Sequence, residues 1–136
     1  MVKIEIEYEN GLRCRAVHGP SGTGISTDAP VDNQGLGESF SPTDLVATAM
    51  GSCMLTTMGI VAARHDWDLA GSRASVLKVM AADPVRRIGS IVVELHLPAA
   101  LDERARKTLE RAALTCPVHK SLAPECEVPL TIHWDL

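Results

Sequence analysis

The chain has 136 residues, 46% of them apolar and 22% charged, with a formal net charge of −4. That length suits a single domain with a real core, and the composition is that of a soluble globular protein. An acidic balance with only four aromatic residues (Tyr8, Phe40, Trp67, Trp134) argues against nucleic acid, which calls for cations against phosphates and rings against bases.

The chain begins MVKIEIEYEN, with charges alternating from the third residue, which is not the pattern of a signal peptide. The four cysteines are therefore expected to be reduced thiols in a cytoplasmic setting. Val2, Ile4, Ile6 and Tyr8 alternate with Lys3, Glu5, Glu7 and Glu9, which predicts a half-buried strand. Asn10-Gly11 is a two-residue hairpin turn signal. The return strand carries Leu12, Cys14, Ala16 and His18 on one face and Arg13, Arg15 and Val17 on the other. A third short strand is expected over 23–27, followed by a loop over 28–40 rich in Gly, Asp and Asn. A loop of that length in a small domain is usually functional or mobile.

Residues 41–66 form the centre of the chain. Ser41, Pro42 and Asp44 give a helix-start signal, and Asp44 lies three residues after Ser41 as in a capping box. No charge then occurs from Leu45 to Ala63, so the helix has no wide polar face. Such a helix is buried or spans a membrane. Thr48, Gly51, Ser52, Thr56, Thr57 and Gly59 dilute it and neither flank is strongly basic, so a buried central helix is expected and no membrane association.

Strands are expected over 73–82 and 88–97, joined at Asp83-Pro84 as a second hairpin. Neither face of the first is clearly polar. Asp102 reads as the cap of a charged helix whose apolar stripe runs Leu101, Ala105, Leu109, Ala112, Ala113 and reaches Cys116. Pro117 restarts the helix, a short segment follows over 117–123, and a last strand is expected over 128–134. The order ββ(β)–α–ββ–α–β is α+β, in one domain over 1–136.

The chemistry rests on thiols. Cys53, mid-helix on an apolar surface, would ordinarily be a small core residue. Cys116 follows Thr115, a possible cap, and precedes a helix-opening proline. A helix start stabilises a thiolate, and His119 and Lys120 are close by in sequence. If the two cysteines meet in the core, a peroxide can oxidise one to a sulfenic acid and the other can close a disulfide. Cys14, on an apolar strand face, and Cys126, between Glu125 and Glu127, are expected bystanders. No C-x-x-C or H-x-x-x-H pair occurs, so neither zinc nor a cofactor is expected. His96 and His133 fall in strands and read as surface or internally satisfied residues. There is no phosphate loop, nucleophile elbow or dinucleotide fingerprint.

SPTDLVATAMGSC, ending at Cys53, and CPVHKSL, starting at Cys116 and 63 residues beyond Cys53, together resemble the OsmC/Ohr family of osmotically inducible and organic hydroperoxide resistance proteins. The resemblance covers essentially the whole chain and is closest to the broader OsmC-like branch. It implies antiparallel sheets wrapped around the long central helix in an intertwined homodimer, with a partner subunit covering part of that helix. It implies thiol-dependent reduction of a small organic hydroperoxide, with Cys53 as the attacking thiol, Cys116 as the resolving thiol and an external dithiol as reductant. Family peroxidases carry a Glu ten residues before the first cysteine, paired with an Arg from the N-terminal strands. Here that position is Thr43. Asp44 is one step on, about 100° around the helix, and reads as a cap. Arg13 or Arg15 would be the Arg, and Glu38 in the loop is a candidate carboxylate. The alternative implied by the missing Glu is an OsmC-like dimer that binds a small ligand near the same cysteines without peroxidase activity.

Overall fold

The structure, a computed structural model, describes residues 1–136. It contains two three-stranded sheets and falls into two compact units, Met1–Val46 and Ala47–Leu136.

In the first unit, β1 (Ile4–Asn10), β2 (Arg13–His18) and β3 (Gly24–Asp28) form an antiparallel sheet in that order. The expected alternation of side chains is present, but β1 is exposed on both faces rather than half-buried, because nothing within the chain covers its apolar side. Ile4, Ile6 and Tyr8 stand opposite His18, Ala16 and Cys14, and Cys14 and Ala16 stand opposite Thr27 and Ile25, so one face is largely apolar. The hairpin turn is displaced by one residue from the expected Asn10-Gly11. Asn10 pairs with Arg13, and a register shift lies between Tyr8 and Asn10. Asn10, Gly11 and Leu12 all have φ between 62° and 71°, the left-handed region that Asn and Gly adopt at least cost.

The loop after β3 is tied at several points. The Asp28 N–H donates to the Phe40 carbonyl (3.0 Å), the Gly37 N–H to the Ala29 carbonyl (3.1 Å), and the Ser39 hydroxyl to the Ser26 carbonyl (2.8 Å). Its first part is a turn of 3-10 helix, Val31–Asn33. A Cβ on Gly35 would sit 1.7 Å from the Ala29 carbonyl oxygen, so only glycine fits that close approach.

Helix α1 (Pro42–Arg64) starts as the sequence predicts. The Asp44 N–H donates to the Ser41 hydroxyl (3.1 Å) and the Ser41 N–H to the Asp44 carboxylate (2.8 Å), a reciprocal capping box. One stripe of the helix is buried: Ala47, Met50, Gly51, Met54, Met58 and Ala62. α1 is long and apolar enough to cross a membrane by length and composition, and 33% of its most apolar window is buried within the chain. The opposite stripe, Thr48, Ser52, Thr56 and Ile60, lies open, and the residues between the two stripes are partly covered.

In the second unit, β4 (Arg73–Ala81) and β5 (Arg87–Leu97) form the expected hairpin. Packing settles the facing of β4: Leu77 and Val79 are exposed, while a Cβ built on Gly51 of α1 would meet Val76 at 2.7 Å and Ala74 at 3.4 Å. Gly51 thus lets α1 approach the strand closely. Ile91, Val93, Leu95 and Leu97 of β5 are fully buried. The last strand, β6 (Leu130–Trp134), pairs with β5 in parallel, so this sheet is mixed rather than wholly antiparallel as expected. The physical reason is the connection. A parallel return needs a long crossover, and α2 (Glu103–Leu114) and α3 (Pro117–Ser121) provide it.

α2 is capped as predicted, with the Asp102 carboxylate accepting from the Ala105 N–H at 2.8 Å. Its buried residues, Ala105, Leu109, Ala112 and Ala113, are those of the predicted stripe. Arg106 secures the approach to the helix. It donates to the carbonyls of Leu101 (2.8 Å) and Ala99 (2.6 Å), and its guanidinium lies 5.2 Å from the Trp134 ring centroid. Charge-assisted bonds and a cation–π contact act here together, so Arg106→Ala is expected to lower stability by about 1–3 kcal/mol, measured by urea unfolding.

Candidate functional site

Cys53 and Cys116 are brought together. Cys53 lies next to the buried stripe of α1 and is half-buried, whereas Cys116 is fully buried. The chain leaves α2 in a tight turn, in which the Thr115 N–H donates to the Ala112 carbonyl (3.0 Å) and the Cys116 N–H to the Ala113 carbonyl (3.2 Å). Thr115 does not cap α3 as expected. Its hydroxyl donates back to Ala112 (2.7 Å), and Cys116 itself occupies the cap position with Pro117 beginning the helix. All four cysteines are free thiols.

The two sulfurs share one donor, the Val118 N–H, and their pKa values move in opposite directions. Burial pushes the Cys53 thiol up. Hydrogen bonds from the Cys116 thiol, the Val118 N–H and the Thr57 hydroxyl together outweigh it and hold Cys53 below the ordinary thiol value. Burial likewise pushes Cys116 up. Donating to Cys53 keeps its proton in place, and the N–H groups of His119 and Val118 offset this only in part. Of the two, Cys53 is therefore the thiol that loses its proton more readily and Cys116 the one that holds it. This reverses the thiolate expected at Cys116 from its place at a helix start, because complete burial outweighs the backbone N–H groups there.

Sequence reasoning missed Thr57 and Val118. The spacing of Thr57, four residues beyond Cys53 on the same helix, was a usable signal. Val118 contributes only its backbone N–H, for which side-chain identity carries no signal. Cys126 is raised as expected of a bystander, but burial is the main cause and Arg87 opposes it, so the neighbouring glutamates are not the reason.

The charged candidates separate clearly. Arg13 of β2 stands directly opposite Asp28 of β3 and pairs with it at 3.4 Å, and the same guanidinium pairs with the Glu38 carboxylate. The Glu38 N–H in turn donates to the Asp28 carboxylate at 2.9 Å. The hydrogen bond to Glu38, followed by the charges of Asp28 and Glu38, sets the Arg13 guanidinium above its ordinary value and outweighs desolvation, which pulls it down. Asp28 is almost completely buried, and its second oxygen, Oδ1, is enclosed without a hydrogen-bond partner. The sequence did not single out Asp28, and opposite charges in cross-strand register are the reason the pair forms. Arg15, opposite Glu7 and Ser26, is exposed. Asp44 belongs to the capping box, and the Thr43 hydroxyl lies 3.1 Å from that of Ser41. The carboxylates paired with an arginine are thus Glu38 and Asp28, not a residue of α1.

The OsmC-like protein family model matches residues 35–131. A protein of Psychrobacter arcticus 273-4, named for osmotic stress induction and a detoxification response, is 47% identical with a TM-score of 0.92, over 98% of this chain and 96% of that one. The organic hydroperoxide resistance protein OsmC of Legionella pneumophila aligns at a TM-score of 0.78 and 15% identity, over 98% of this chain and 96% of its own. An organic hydroperoxide resistance protein of Elizabethkingia anophelis aligns at 0.79 and 14% identity, over 99% and 96%. The last two likenesses concern the fold alone. Comparison with curated proteins finds no match. With the family model covering most of the chain, the long central helix and two sheets in place, and a near relative aligned over almost its whole length, the chain belongs to the OsmC-like protein family.

Proposed function

We propose that the chain is a thiol-dependent peroxidase that reduces small organic hydroperoxides through Cys53 and Cys116. The observation that carries this reading is the hydrogen-bonded cysteine pair with opposed pKa shifts, an ionisable thiol facing a protonated one. A thiolate is the form that attacks a peroxide. Cys53 sulfur attacks the terminal, hydrogen-bearing oxygen of ROOH, the O–O bond breaks, and RO⁻ leaves to become the alcohol by taking a proton. Cys53 becomes a sulfenic acid. Cys116 sulfur then attacks Cys53 sulfur, water leaves with the sulfenic oxygen and the Cys116 proton, and a disulfide forms. An external dithiol reduces that disulfide, restoring both thiols and becoming a disulfide itself. No resident metal or cofactor enters this cycle.

Arg13 is the candidate for the family's activating arginine, with Glu38 and Asp28 in the carboxylate role that Thr43 cannot fill. The active form in this reading is a homodimer. The apolar face of Val2, Ile4, Ile6 and Tyr8 is more than half exposed, which suits a second copy. Four free thiols suit a reducing cytoplasm.

The test is to treat the reduced chain with one equivalent of cumene hydroperoxide and map thiols by mass spectrometry. A Cys53–Cys116 disulfide is expected, and both thiols remaining free overturns the reading. Thr43 in the family's Glu position favours one second reading, a dimer that binds a small ligand at the same cysteines without turnover. Ligand-induced thermal stabilisation that persists in Cys53→Ala, with no peroxide consumption, is its signature.

A further inference from the structure

Four ligand-type side chains gather on the outward face of the mixed sheet, and neither the thiol chemistry nor the core uses them. β5 and β6 run parallel with His96 opposite His133 and Glu94 opposite Thr131. Alternation along the strands then puts Glu94, His96, His133 and Asp135 on one side, while Val93, Leu95 and Leu97 fill the other. The rings of His96 and His133 are stacked, with centroids 4.7 Å apart and planes at 21°. One donor atom from each of Glu94, His96 and His133 lies within 4.8 Å of the others, and the Glu94 carboxylate is 4.0 Å from His133 Nε2.

We propose that Glu94, His96 and His133 bind a divalent first-row transition ion, zinc foremost, with Asp135 holding His96 in the ligating tautomer. Two imidazoles and a carboxylate are a donor set that zinc takes, at about 2.0–2.2 Å per bond, with a fourth position left to water. Bonds of that length call for donors roughly 3.3–3.6 Å apart, so the side chains draw in by about 1 Å on binding. Glu94 and His133 have the freedom to do so, with side chains 53% and 40% exposed.

The strongest sign of a site is around the ligands. Both Asp135 oxygens lie on His96 Nδ1, at 2.8 and 3.0 Å. That carboxylate–histidine contact places the ring proton on Nδ1 and leaves the Nε2 lone pair for a metal, the arrangement found behind metal-bound histidines. Across the sheet Arg73 faces His96 and is the one cation in the group. With Glu94 and Asp135 it leaves one net negative charge to meet the ion. The competing account is a surface ladder in which the histidines serve only their carboxylates. Short-range sequence spacing could not reveal the cluster, because its two histidines are 37 positions apart and meet only through parallel register.

The experiment is calorimetric titration of the full, reduced chain with zinc chloride. Wild type, His133→Gln, His96→Gln, Asp135→Asn and the double variant Cys53→Ser/Cys116→Ser are compared, since thiols also bind zinc. The expected result is about one zinc per chain, kept by the double cysteine variant, at least tenfold weaker in His133→Gln and His96→Gln, and about 10- to 100-fold weaker in Asp135→Asn. His133 is half-exposed, so its variant carries the test if His96→Gln fails to fold, and a circular dichroism melt verifies it. No saturable binding in wild type, a loss below tenfold in His133→Gln, or loss of binding only in the cysteine variant overturns the proposal. None of these readouts depends on peroxide turnover.

Discussion

Cys53→Ser is expected to reduce organic hydroperoxide consumption to background, a loss of at least about 10³-fold, because a serine hydroxyl does not ionise in this setting and nothing else supplies the nucleophile. Cys116→Ser separates the two roles. Serine keeps an O–H to donate to Cys53, so the first turnover persists while the resolving step is lost. Peroxide should then leave Cys53 as a sulfenic acid that dimedone traps, where wild type yields a disulfide. Equal turnover in wild type and Cys116→Ser would remove Cys116 from the cycle. The pH dependence has a definite sign. Cys53 is an acid whose pKa in the folded chain is lowered, so its thiolate is present above that pKa and is lost as pH falls through it. The single-turnover rate should rise with pH and reach its plateau at a lower pH than an ordinary thiol would require.

Ile6→Glu is expected to break self-association. Ile6 lies mid-way along the exposed apolar face of β1, between Ile4 and Tyr8, and a carboxylate buried there without a partner costs at least about 3 kcal/mol, roughly a hundredfold in Kd. Light scattering should give wild type twice the 14.6 kDa chain mass and Ile6→Glu the single-chain mass at micromolar concentration. Glu7→Lys, on the opposite face of the same strand, is the control and should leave the dimer intact. A wild-type chain that is monomeric at these concentrations defeats the assembly argument directly.

Much of the architecture was legible because it follows local rules. Strict alternation over Val2–Glu9, the reciprocal cap of Ser41 and Asp44, the Asp102 cap and the stripe through Ala105, Leu109 and Ala113 each depend on residues a few positions apart. The same locality explains the misses. A register shift near Glu9 moved the hairpin turn, and no short pattern distinguishes a parallel from an antiparallel final strand. The facing of β4 depended on where Gly51 allows α1 to approach.

The thiols show the same division. Cys53 and Cys116 were singled out by the resemblance of their two flanking segments, taken together, to the paired motifs of the family. Which of the two ionises was not written in either segment. It depends on how completely Cys116 is enclosed, on the Thr57 hydroxyl and on a backbone N–H at Val118. The partner of Arg13 was likewise open among several carboxylates, and cross-strand register assigned it to Asp28 as well as to the proposed Glu38. Periodicity and capping are properties of neighbouring residues and can be read from the chain alone. Burial and the pairing of charges are sums over residues far apart in sequence, so only the folded arrangement determines them.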